Sequence, residues 1–152
     1  METSQYQALS QTERLWSPRQ IGVAAFLGSP LAAGWFFSRN YLAFGEEAGA
    51  RRVLWLGLAA TAAVLATAFF LPRNFPNAVL PAAYAFAIER YASSCFGTAY
   101  EKHVALDGAK GSWWTVVTIG LLSCVLLIAL AVIVLYTLAW WTGTQIDWNP
   151  RH

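Results

Sequence analysis

The sequence predicts an all-α membrane protein with four transmembrane helices, and three observations support this prediction. Residues 111–146 contain no Asp, Glu, Lys, Arg or His. Two tryptophan pairs, Trp113-Trp114 and Trp140-Trp141, bracket most of that segment. Charged residues make up 12% of the 152-residue chain, against roughly 25% in soluble domains. We therefore expect the lipid bilayer to be the main environment of this protein.

The last predicted helix covers about residues 113–141, between the tryptophan pairs. At 1.5 Å per residue the segment measures about 40 Å, which is the thickness of a bilayer with its headgroup zones. Each tryptophan pair then lies at an interface. Backbone amides cannot stay unpaired in lipid, so a continuous helix is expected.

The first predicted helix covers about residues 19–38 and follows a polar N-terminal tail, residues 1–17. Ser17 is a suitable N-cap, and Pro18 fits the first turn. The motif Gly28-Ser29-Pro30 interrupts the helix, because an interior proline removes one backbone hydrogen bond and kinks the chain. The pattern favours a single span that is kinked at Gly28-Pro30, with a re-entrant hairpin as the alternative.

The second predicted helix, about residues 53–71, is uncharged and rich in alanine. Small residues recur in it at intervals of four, as they do in the first helix. Such faces permit close approach of two helix backbones. We expect the first two helices to pack tightly, and a homodimer through the same faces is a weaker alternative.

The third predicted helix, about residues 76–98, is polar in its C-terminal half. Its apolar part, residues 78–88, gives only about 16 Å of helix. A full span therefore includes Glu89 and Arg90, and a charge at the centre of a span costs about 2.5–3.5 kcal/mol. Arg90 could snorkel to an interface, and Glu89 could take a proton or a partner. Adjacent helical residues point in different directions, so the two side chains are not expected to pair.

The four spans form one transmembrane domain over residues 18–142, followed by a C-terminal tail at residues 143–152. With four spans, the connections at residues 38–52 and 97–112 lie on one side of the membrane. They hold slightly more Lys and Arg than the segments on the other side. The positive-inside rule then places both connections in the cytoplasm and both termini outside.

The sequence offers little chemistry to a catalytic site. It contains no HExxH, GxSxG, P-loop or GxGxxG motif, and its two cysteines have no CxxC spacing. We therefore expect no enzyme, no catalytic residue, no metal and no cofactor. The net charge of +2 is small and its basic residues are scattered, which argues against a nucleic-acid partner.

Three residues are candidates for a binding role: Glu89, Arg90 and His103. An ionisable group at membrane depth is a functional hypothesis by default, and this applies to Glu89 and Arg90. Side chains that reach the headgroups are the favoured alternative for this pair. His103 lies in a connection beside Glu101 and Lys102 and could carry a proton or a ligand, although a solvated loop histidine is the favoured interpretation. His152 is the last residue of the tail.

Several motifs together resemble a group of small, uncharacterised bacterial multipass membrane proteins. These motifs are Ser17-Pro18-Arg19-Gln20-Ile21, Phe26-Leu27-Gly28-Ser29-Pro30-Leu31-Ala32, Asn40-Tyr41, His103 and Gly108-Ala109-Lys110-Gly111-Ser112-Trp113-Trp114. The resemblance implies a bacterial inner-membrane location and about four spans, with no activity or ligand to carry over. Such proteins more often have Gly-Gly-Lys-Lys where this chain has Gly108-Ala109-Lys110-Gly111, so the connection is less basic here.

Two functions from different classes follow from these observations. The favoured one is a non-enzymatic inner-membrane protein that acts through contacts with another membrane protein or with itself, as an accessory subunit or an immunity-type protein. The alternative is a small oligomeric transporter or channel, in which Glu89 and Arg90 line a polar path.

Overall fold

A computed structural model describes residues 13–70, 76 and 78–143, without the side chains of residues 68 and 69. Predictions for residues 1–12, 71–75, 77 and 144–152, including His152, lie outside this part. The described chain is all-helical, which confirms the predicted class. Its five helices are α1 (Pro18–Gly28), α2 (Pro30–Ala43), α3 (Glu47–Phe70), α4 (Val79–Ala105) and α5 (Trp113–Thr142).

The expected number of four membrane-spanning helices is wrong for the described residues. Only α3, over Glu47–Thr67, and α5, over Trp113–Thr142, are long and apolar enough to cross a membrane. With 11 and 14 residues, α1 and α2 measure only about 17 and 21 Å, less than a hydrocarbon core. Helix α4 is long enough, but its C-terminal half is polar.

The predicted first span is a hairpin of two helices, so the expectation of a single kinked helix is also wrong. Trp16, just before α1, donates its backbone N–H to Asn40 Oδ1 near the end of α2 at 2.9 Å. Asn40 Nδ2 donates in return to the Trp16 carbonyl at 2.9 Å. In one continuous helix these residues would be about 36 Å apart. The chain therefore enters and leaves the hairpin at the same end.

Ser29 alone forms the turn of the hairpin, with φ at 92°. Its N–H donates to the Ala25 carbonyl at 2.9 Å, and this hydrogen bond caps the C-terminal end of α1. Pro30 begins α2, where a missing N–H costs nothing. The next N–H, on Leu31, has two acceptors, Ser29 Oγ at 3.3 Å and Thr61 Oγ1 of α3 at 3.0 Å. The turn thus satisfies its own backbone groups and is also held by α3.

The hairpin is the centre of the fold, because the extensive contacts between helices all involve α1 or α2. Small residues allow this close packing. Gly34 of α2 lies against Gly57 of α3, where an added Cβ would be 3.3 Å from the Gly57 Cα. Gly28 at the end of α1 lies against Gly120 of α5. The tight packing expected from the small residues of the first two predicted spans is therefore present, with the hairpin as the shared partner.

The N-terminal segment, residues 13–17, joins the same end of the bundle as the connections at residues 38–52 and 97–112. The Leu15 N–H donates to the Ala109 carbonyl at 3.2 Å, and the Gly111 N–H donates to the Leu15 carbonyl at 2.9 Å. We call this the basic end. The expected placement of the N-terminal segment opposite those two connections does not hold, because the hairpin returns the chain to its starting end.

Candidate functional site

Buried polar side chains join the hairpin to the α4–α5 loop at the basic end. We define the polar junction as Trp16, Ser17, Gln20, Asn40, His103 and residues 108–111. Asn40 is its centre, because it is 1% exposed and is bonded in both directions to the backbone of Trp16. Buried amides are costly unless they are hydrogen-bonded. The Asn40 amide therefore fixes where the N-terminal segment crosses α2.

Gln20 connects the start of α1 to the loop before α5. Its backbone N–H donates to Ser17 Oγ at 3.1 Å, and the Ser17 N–H donates to Gln20 Oε1 at 2.9 Å. These two bonds form a capping box, and the first of them confirms the predicted N-cap at Ser17. Gln20 Nε2 also donates to the Gly111 carbonyl at 2.7 Å. One side chain thus caps α1 and positions the first turn of α5.

His103 is buried, in contrast to the solvated loop residue that we expected. It is 6% exposed, and its Nε2 lies 3.2 Å from the Ala109 carbonyl oxygen. A carbonyl oxygen only accepts, so this nitrogen carries the proton. The ring packs against Gly108, where any side chain would overlap it. The contacts of His103 thus order the α4–α5 loop.

Trp16 fills the space between the hairpin and that loop. Its ring meets Phe36 edge-on at 4.8 Å between centroids and lies 6.5 Å from Trp35. Gly111 lies directly against the other side of the ring, where a Cβ would overlap the indole. Four of the five motifs that carry the resemblance to a bacterial family therefore meet here in space, whereas the fifth, residues 26–32, forms the turn at the other end of the hairpin.

Glu89 and Arg90, the other candidate residues, do not form a pair with each other. Glu89 lies against α1, and its Oε2 would be 3.1 Å from a Cβ at Gly22. The Arg90 guanidinium lies over the Phe86 ring at 5.0 Å. As expected from their adjacent positions, the two side chains leave α4 in different directions. Neither lines either of the two cavities described below.

The depth of Glu89 can be read from its neighbours. Gly22 follows Gln20 by two residues, and Gln20 is bonded to Gly111 just before the first tryptophan pair. Glu89 therefore lies within about one helical turn of the level of that pair. Tryptophans prefer the headgroup region, so this arrangement favours an interfacial position for Glu89 over a position at the bilayer centre.

The cavities on the surface of the described chain include two that lie between its helices. The larger, about 520 Å³, lies at the basic end between the N-terminal segment, α2 and the first turn of α5. The smaller, about 130 Å³, is an apolar groove between α2, α3 and α4. Only the larger one contains charged side chains, Glu13, Arg14 and Arg39.

Within residues 13–70, 76 and 78–143, no group of His, Cys, Asp and Glu side chains could hold a metal ion. Cys95 and Cys124 are both free thiols. Comparison of the chain with protein-family models, curated proteins and solved structures finds no match. The resemblance to a bacterial family remains a prediction.

Proposed function

We propose that this chain is a non-enzymatic bacterial inner-membrane protein that acts through contacts with another membrane protein or a second copy of itself. In this proposal α3 and α5 cross the bilayer from the cytoplasmic face, α4 returns the chain to that face between them, and the α1–α2 hairpin enters the bilayer from the same face. An accessory subunit or an immunity-type protein has this character. The observation that supports the proposal is the exposed C-terminal part of α5, residues 121–142.

Helix α5 buries only Val116 and Gly120, both in its first eight residues. From residue 121 to residue 142 it continues for about 32 Å with no buried residue. Most of the large apolar side chains there are exposed, among them Leu122, which is 66% exposed, and Trp140, which is 84% exposed. This apolar helix packs against the rest of its own chain only near its N-terminal end. A long part of its surface is therefore available to another helix in the membrane.

The hairpin strengthens the assignment of a cytoplasmic side. Seven of the ten Lys and Arg residues belong to segments at the basic end, namely Arg14, Arg19, Arg39, Arg51, Arg52, Lys102 and Lys110. Only Arg73 and Arg151 belong to segments that follow the far ends of α3 and α5 in the sequence. The positive-inside rule then places the basic end in the cytoplasm, together with the N-terminal segment.

A leucine replacement over residues 125–139 tests the role of α5. It keeps the length and hydrophobicity of the helix but removes the shape of its surface. We expect the native chain to copurify in native nanodiscs with a fixed partner or as a fixed oligomer, and the replaced chain to lose that association. Unchanged membrane insertion and thermal stability are the control. A native chain that is monomeric and alone in nanodiscs would contradict the proposal.

The transport alternative has less support from the geometry. A polar path needs side chains that line an opening, but Glu89 faces the backbone of α1 at Gly22 and Arg90 lies over Phe86. An interfacial level for Glu89 also explains its charge without a role in transport.

A further inference from the structure

We propose that the larger cavity at the basic end binds the phosphate group of an anionic phospholipid from the surrounding leaflet. We call it the interfacial cleft, and the residues that matter are Glu13, Arg14, Trp16, Trp35, Arg39 and Leu42. Its volume of about 520 Å³ lies within the usual range of small-molecule sites. It is separate from the exposed C-terminal part of α5, which is the contact surface in the proposed function.

Two guanidinium groups give the cleft its affinity for phosphate. The charged side chains of the lining are Arg14, Arg39 and one carboxylate, Glu13. The lining therefore carries a net positive charge. Within the described chain neither arginine is engaged in an ion pair. A guanidinium presents N–H groups in a fork that matches two phosphate oxygens, and such charged hydrogen bonds are strong.

Aromatic packing positions one of these groups. The Arg39 guanidinium lies over the Trp35 ring at 5.6 Å from its centroid, and Trp35 itself meets Phe36 edge-on at 4.9 Å. When a guanidinium stacks on an aromatic ring, its flat face meets the ring, and the N–H groups at its edge are available to a ligand.

The opposite wall of the cleft is fixed before any ligand binds. Trp16 is held by both hydrogen bonds to Asn40 and by its contact with Phe36. Arg14 precedes Trp16 by two residues, and Leu15 between them is tied to Ala109 and Gly111. A site that is already ordered loses less entropy when it binds a ligand.

The position of the cleft favours a lipid over free phosphate as the source of the anion. Thr115, in the first turn of α5, lines the cleft just after the pair Trp113-Trp114, so the cleft lies at headgroup depth. Trp35, which is only partly buried, and Leu42, which is 45% exposed, offer apolar surface to the glycerol and acyl region. Inorganic phosphate has the same charge but gains nothing from those side chains.

The test compares two charge-matched double variants of the full-length chain in detergent by native mass spectrometry. Arg14→Gln with Arg39→Gln removes both cleft arginines. Arg51→Gln with Arg52→Gln removes the same charge from exposed positions on α3 at the same end. Titration with phosphatidylglycerol, phosphatidylcholine and inorganic phosphate then separates the possible ligands.

We expect the native chain to retain one phosphatidylglycerol in preference to phosphatidylcholine. The cleft variant should lose about tenfold or more in that affinity, since one charged hydrogen bond accounts for about that factor, while the α3 variant stays close to the native chain. Equal losses in both variants would overturn the proposal, because they would indicate non-specific attraction. Inorganic phosphate that binds as tightly as phosphatidylglycerol would overturn the assignment to a lipid.

Discussion

Replacing Gly28 with alanine is expected to lower the free energy of unfolding by about 1–3 kcal/mol, the usual cost of overpacking a dense core. An added Cβ would lie 2.5 Å from the carbonyl oxygen of Gly120 and 2.8 Å from its Cα. Both atoms belong to the backbone of α5, so no side-chain rotation can relieve the overlap. Thermal unfolding in nanodiscs, followed by circular dichroism, measures the loss.

Gly97 of α4 provides the matched control for Gly28. A Cβ at Gly97 would meet only Ser93 Oγ, at 3.4 Å. Alanine there should leave the stability unchanged or raise it by up to about 1 kcal/mol, because alanine favours a helix more than glycine does. Equal destabilisation by the two substitutions would mean that Gly28 is not at a close helix contact.

The replacement of Asn40 with alanine should cost about 2–6 kcal/mol, since it leaves two buried backbone groups without partners at about 1–3 kcal/mol each. Those groups are the N–H and the carbonyl of Trp16. We expect the substitution to lower the global stability and also to loosen the N-terminal segment locally, because Asn40 holds this segment against α2. Hydrogen exchange at the Trp16 amide, together with thermal unfolding, tests both effects.

Ser94→Ala is the control for the loss of a polar side chain. Ser94 is exposed on α4, and its hydroxyl bonds only to the Tyr91 carbonyl of its own helix, at 2.8 Å. Its replacement should change the stability by less than about 0.5 kcal/mol, as is usual for surface positions. If Asn40→Ala is as mild as Ser94→Ala and the Trp16 amide stays protected, the polar junction does not hold the hairpin closed.

Hydropathy predicted those elements of the fold that depend on the solvent. The tryptophan pairs and the uncharged run between them located α5 to within about one residue, Trp113–Thr142, because lipid leaves the backbone few options. The hairpin was missed for a local reason. A proline within an apolar block is compatible with a kink or a reversal, and the bonds that decide between them join Trp16 to Asn40, 24 positions apart.

The polar junction could be predicted from the sequence only in part. The N-cap at Ser17 follows a local rule and is predicted from the sequence, whereas the second half of the capping box, Gln20, is not. His103, with Glu101 and Lys102 beside it, has the sequence context of a solvated residue, and its burial depends on Gly108 five positions later. The adjacent positions of Glu89 and Arg90 predict different directions for their side chains, but the level of Glu89 depends on which residue of α1 lies opposite.

Cysteine labelling is the most direct test that the chain enters and leaves the hairpin at one membrane face. Glu13→Cys, Glu47→Cys and Thr142→Cys are made singly in a chain whose Cys95 and Cys124 are replaced by serine. A membrane-impermeant maleimide is then applied to intact cells and to inverted vesicles. We predict that the variants with a cysteine at position 13 or 47 both react in inverted vesicles. The variant with a cysteine at position 142 should react in intact cells. Reaction of positions 13 and 47 from opposite faces would contradict the hairpin and restore a single kinked span.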